Sequence, residues 1–90
     1  MTIVPPGTLT LVQSFSDVER FMSWLGERRE LLAVDTETTG LNVGKDRIRL
    51  VQVGDADAGW AFPYPDWKGI IKEVVGGGYS GPIAFWNALF

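Results

Sequence analysis

The chain of 90 residues contains no cysteine and no histidine. The first absence excludes disulfides and thiolate metal centres. The second excludes histidine general-base chemistry and, with the first, nearly every zinc site. Any bound metal must be held by oxygen ligands, which suits magnesium, manganese or calcium. No apolar run approaches the ~20 residues that span a bilayer. Residues 1–11 lack the basic start and apolar stretch of a secretory signal. These absences predict a soluble, cytoplasmic protein with no membrane partner. Strong charge is missing too. The 11 acidic and 8 basic side chains leave a net charge of −3, so a broad cationic surface for nucleic acid is not expected. Mild acidity still permits metal-dependent chemistry, because metal-binding carboxylates are themselves acidic.

Apolar residues make up 46% of the chain and charged residues 21%, proportions that support an ordinary core and argue against disorder. The length predicts one small domain, and no internal linker divides it. Pro5-Pro6-Gly7 closes a flexible lead-in, residues 1–7. Residues 8–12 alternate and predict a short edge strand. Ser16-Asp17-Val18-Glu19 fits a capping box with Ser16 as N-cap, and Val18, Phe21, Met22 and Leu25 follow at helical spacing. Gly26 is the expected stop. Glu27-Arg28-Arg29-Glu30 reads as a solvated turn.

Residues 31–34 form a continuous apolar run, the pattern of a central strand buried on both faces. A second strand is predicted over 47–53 and a third over 60–62, giving an antiparallel meander. Asp66 is the expected cap of a second helix carrying Trp67, Ile70, Ile71 and Val74, which Gly76-Gly77-Gly78 ends. Residues 82–86 read as a fourth strand, reached by a crossover helix and so parallel to the first strand of the meander. Trp60, Trp67 and Trp86 are expected in the core, and Arg47 and Arg49 in solvated or cross-strand pairing.

Asp35 and Glu37 are the informative pair. Two residues apart at a strand end, their side chains point to one side. Carboxylates held that close repel, and a divalent cation between them resolves the conflict. Thr36 is β-branched and keeps the backbone extended between them. Thr38 and Thr39 bring hydroxyls beside the same position, and Gly40 permits a sharp turn before the apolar Leu41. A purely structural strand terminus would also account for the triplet.

Val34-Asp35-Thr36-Glu37-Thr38-Thr39-Gly40-Leu41 resembles the first motif of the DEDD family of 3′–5′ exonucleases. Residues 47–55 and 59–63 are similar to the next two strands in the branch that holds family A DNA polymerase proofreading domains and ribonuclease D. Residues 83–90 resemble the approach to the second motif, with Asn87 at its asparagine; the matching aspartate would follow Phe90. The resemblance implies an α/β, ribonuclease H-like mixed sheet: a three-strand antiparallel meander, a parallel fourth strand, and helices packed on the sheet. Residues 1–90 would be the N-terminal portion of one exonuclease domain.

The implied activity is two-metal hydrolysis of single-stranded DNA 3′ ends, as in proofreading, with two magnesium or manganese ions in the complete domain. Asp35 would bridge both ions, and Glu37 would hold one and orient the water. Thr36, Thr38, Leu41 and Asn87 are the candidate substrate contacts, with Leu41 as a wedge against the terminal base. The implied partners are a single-stranded DNA 3′ end, with RNA as the alternative, and the remainder of the exonuclease domain or a polymerase domain. Self-association through an uncovered sheet edge is a further expectation. A chain with only the first carboxylate pair is expected to be inactive alone. The alternative readings are a ribonuclease D-like exonuclease acting on RNA and a non-catalytic structural or binding module.

Overall fold

Leu32 and Val34, Val51 and Val53, and Trp60 and Phe62 each sit two residues apart and are buried, a period that builds a sheet with one apolar face. The computed structural model of the protein describes residues 7–27, 29–38 and 48–86. The elements run β1 (Thr8–Leu11), α1 (Phe15–Leu25), β2 (Leu32–Thr38), β3 (Ile48–Gly54), β4 (Ala58–Pro63), α2 (Tyr64–Glu73) and β5 (Ile83–Trp86). The strand order in the sheet is β1-β4-β3-β2-β5. The meander β2-β3-β4 is antiparallel, and β5 pairs parallel to β2 with Leu32 opposite Ile83 and Asp35 opposite Trp86. The short strand β1 lies at one edge and pairs parallel to β4.

One cluster forms the core. Val18, Phe21, Trp24 and Leu25 of α1 and Ile71 of α2 meet the apolar face of the sheet. Phe21 sits at its centre, edge-on to Phe62 at 4.7 Å and to Trp60 at 5.6 Å. Both helices thus cover the same face. The other face carries Ala33, Asp35, Glu37, Leu50 and Gln52, together with Leu9 and Leu11, which are 67% and 49% exposed. The apolar run at 31–34 is therefore buried on one face, not both; Leu31 itself precedes β2 and is exposed.

Several local expectations are displaced. The N-cap of α1 is Ser14, not Ser16: its hydroxyl accepts from the amide of Asp17, whose carboxylate accepts from the amide of Gln13 at 2.9 Å. Reciprocal capping is present, two residues earlier than predicted. Trp24 replaces Met22 in the buried stripe, because the larger ring fills the space beside Trp60, 5.9 Å away. Asp66 does not cap α2, which starts after Pro63 with no side-chain cap. The helix is kinked at Trp67 (φ −120°, ψ 18°), and the Trp67 indole N–H donates to the Val12 carbonyl at 3.2 Å. A π turn, Val74–Gly78, ends it, with Gly77 at φ 124°, a conformation that other residues rarely adopt. Trp60 is fully buried and Trp67 packs against the core as expected, but Trp86 is exposed. Of the lead-in 1–7, only Gly7 is described; its amide donates to the Asp57 carbonyl.

Candidate metal centre

Antiparallel pairing sets Asp35 opposite Gln52 and Glu37 opposite Leu50, while Val34 and Thr36 face the core opposite Val53 and Val51. Strand alternation thus places both carboxylates on the sheet face that the helices leave open. The pairing register shifts between Glu37 and Thr38. Such irregularities re-aim side chains where pairing ends and are frequent beside active sites. Asp35 is partly buried and Glu37 is exposed. Asp35 Oδ1 is buried and has no hydrogen-bond partner among the described residues. A buried acceptor without a donor costs about 1–3 kcal/mol, and a cation satisfies an anionic oxygen as well as a donor would. This orphaned oxygen, with a second carboxylate on the same face, fits a hard divalent ion. No group of three or more metal-binding side chains occurs among the described residues, so the pair stands without a third ligand there.

Arg49 reaches Glu37 across the strands, with Nη2 3.5 Å from Oε2 and both side chains solvated. This cross-strand pairing matches the expected role of Arg49 and contributes little to stability. Thr36 is 4% exposed and turned into the core, so its hydroxyl does not lie on the carboxylate face; a contact from Thr36 to substrate would have to come through its main chain. Thr38 closes β2. Arg47, Leu41 and Asn87 lie outside the described residues.

A second polar cluster was not anticipated. Arg29, expected in a solvated turn, has a side chain only 9% exposed. Its guanidinium stacks 3.8 Å over the Trp24 ring, donates through Nη2 to the Trp24 carbonyl at 2.7 Å, and donates through Nε to Asp55 Oδ2 at 3.0 Å. Asp55 Oδ1 accepts from the amides of Asp57 and Ala58, at 2.8 and 2.9 Å, which closes the β3–β4 turn. In that turn a Cβ on Gly54 would stand 2.6 Å from the Ala58 carbonyl oxygen, so glycine is required there. The Tyr79 hydroxyl accepts from the Arg29 amide at 3.4 Å. The cluster ties the end of α1 to the β3–β4 turn and to the approach to β5. Four consecutive charged residues give no signal that one of them is buried.

Burial opposes ionisation of Asp55, but the Asp57 and Ala58 amides and the Arg29 guanidinium outweigh it and hold its carboxyl below the ordinary range. A depressed folded value stabilises fully above the unfolded value and is lost as pH falls through the folded one. Wild-type melting temperature should therefore decline below about pH 4. Asp55→Asn should start lower at neutral pH and decline less steeply with acid. Equal acid slopes for the two proteins would mean that Asp55 does not contribute to the acid sensitivity of the fold.

No family profile matches the chain. Over 69 residues it is 41% identical to a DNA polymerase of Mycobacterium phage L5, a stretch covering 74% of this chain and 12% of the phage protein. Over 70 residues it is 36% identical to a DNA polymerase of Mycobacterium phage D29, covering 76% of this chain and 12% of that protein. The chain thus spans 12% of the length of these curated relatives. Among solved structures it is similar to the EXO domain of Aedes aegypti Nibbler, with a TM-score of 0.52 at 20% identity, over 70% of this chain and 29% of that one. This likeness bears out the expected α/β, ribonuclease H-like architecture. The fold is exonuclease-like, and the sequence kinship is with proteins named DNA polymerase.

Proposed function

We propose that this chain carries the first carboxylate pair of a DEDD-type 3′–5′ exonuclease that trims single-stranded DNA, as a proofreading element of a DNA polymerase. The observation that carries the reading is the pairing of Asp35 and Glu37 on the open sheet face, with Asp35 Oδ1 buried and unpartnered among the described residues. Asp35 would hold both divalent ions, magnesium or manganese, and Glu37 one of them. Bound there, such ions would supply an activated water and charge stabilisation at the leaving 3′ oxygen. Asp35, fixed in the middle of paired β2, gives the site its rigid reference point. Glu37, next to the register shift and solvated, would orient a water by accepting its hydrogen bond through the carboxylate oxygen that Arg49 does not engage. Arg49 balances the charge of Glu37. Kinship with proteins named DNA polymerase favours DNA over RNA. Leu41 and Asn87 enter as the wedge and the second substrate contact only by resemblance.

Incubating the full-length gene product with 5′-labelled single-stranded DNA or RNA of one sequence, in magnesium or in EDTA, tests this reading. The expected result is stepwise shortening of DNA from its 3′ end, stopped by EDTA, with RNA at least about tenfold slower. Faster loss of RNA would favour the ribonuclease D-like alternative. No shortening of either would favour a non-catalytic module.

A further inference from the structure

Trp86 lies in an apolar strand, where a core position is expected, yet it is 58% exposed. It is the in-register partner of Asp35 on the adjacent parallel strand, so indole and carboxylate rise side by side from one sheet face. That face is the one neither helix covers. One step back along the strands, Ala33 partners Ala84, so the indole stands beside a low floor. On its other side Asp35 partners Gln52, where a cavity of about 350 Å³ opens between Asp35, Gln52, Gly54, Gly59 and Leu9. An exposed aromatic plane and a recess therefore flank one carboxylate. The cation nearest to the pair in the described structure, Arg49, is engaged by Glu37. The surface beside Asp35 thus offers a stacking plane to a nucleotide more readily than it offers a phosphate clamp.

We infer that Trp86 is a base-stacking platform, holding the base of the nucleotide whose phosphate is presented to Asp35 and Glu37. The occupant is an unpaired nucleobase, since only an unstacked base offers a free face to an indole. Every base has such a face, so the contact tolerates sequence, as removal of any terminal nucleotide demands. The inference rests on the proposed nuclease site and adds to it a substrate contact that the exonuclease resemblance does not specify.

The test uses the full-length gene product and an oligothymidylate octamer ending in 5-iodouracil, which photocrosslinks to a ring stacked on it. In EDTA, which prevents hydrolysis, the adduct is expected on the peptide carrying Trp86 and is expected to vanish in Trp86→Ala. In magnesium, Trp86→Ala should raise KM for the plain octamer about five- to a hundredfold, and Trp86→Phe should restore most of it. Melting temperatures of both variants should stay near that of wild type, because the side chain is exposed. An adduct that maps elsewhere, with KM unchanged in Trp86→Ala while wild type still degrades DNA, overturns the stacking role and leaves the nuclease reading standing. A wild type that forms the Trp86 adduct but never hydrolyses DNA supports stacking and defeats the nuclease reading. A change of oligomeric state in Trp86→Ala, with no Trp86 adduct in wild type, assigns this face to contact between copies and overturns the proposal.

Discussion

Replacing Asp35 by Asn, or Glu37 by Gln, in the full-length gene product should slow 3′–5′ degradation of single-stranded DNA by a factor on the order of a thousand or more. A positioned divalent ion supplies several kcal/mol of charge stabilisation in such a reaction, and each 1.36 kcal/mol is tenfold in rate. The fold should not suffer. Both side chains lie on the open face, and each substitution removes one of two neighbouring negative charges while keeping the shape of the side chain. Metal-free melting temperatures should equal or exceed that of wild type. Melting curves and initial rates on the same preparations separate the two effects. A destabilised variant with a near-normal rate would assign the pair a structural role.

Arg29→Ala should destabilise the chain by about 3 kcal/mol, the low end of the cost of breaking a buried ion pair from one side, because Asp55 keeps partial exposure. The substitution removes the donors to Asp55 and to the Trp24 carbonyl, as well as the plane stacked on the Trp24 ring. It leaves Asp55 held by its two turn amides alone. A domain of this size has on the order of 5–10 kcal/mol in total, so the melting temperature should fall by more than about 10 °C. Arg29→Lys should fall in between, because an ammonium cannot reproduce the planar fork and the stack together. A double-mutant cycle with Asp55→Asn should show coupling between the two positions. A loss for Arg29→Ala below about 0.5 kcal/mol would mean that this cluster is not a tie in the fold.

The strands were legible because their period of two survives in the packing: Val34 and Thr36 face the helices, and Asp35 and Glu37 face away. The shared face of the carboxylates followed from their spacing alone. The N-cap was not legible, since Ser14 with Asp17 and Ser16 with Glu19 are competing versions of one pattern. Only the reach of the Asp17 carboxylate to the Gln13 amide decides between them. Met22 lies four residues after Val18 and Trp24 three after Phe21, so either could extend the stripe, and the space beside Trp60 selected the larger ring. Arg29 was hidden because its burial depends on Asp55, far away in sequence, and on a ring contact with Trp24. The exposure of Trp86 was missed because an apolar strand does not reveal which of its faces will be covered. Burial of Thr36 follows from the alternation that exposes its neighbours, and it moves that hydroxyl out of the candidate site. Leu41 and Asn87 lie outside the described residues, so their roles still rest on the motif.

Asp35 and Glu37 together should hold divalent metal. Titrating manganese into the full-length gene product and following the electron paramagnetic resonance signal of the free ion tests it most directly, without requiring turnover. Compared with wild type, the Asp35→Asn, Glu37→Gln double variant should leave more manganese free at every point, with the deficit saturating at a whole number of ions. Identical titration curves for the two proteins would mean that this carboxylate pair does not hold metal.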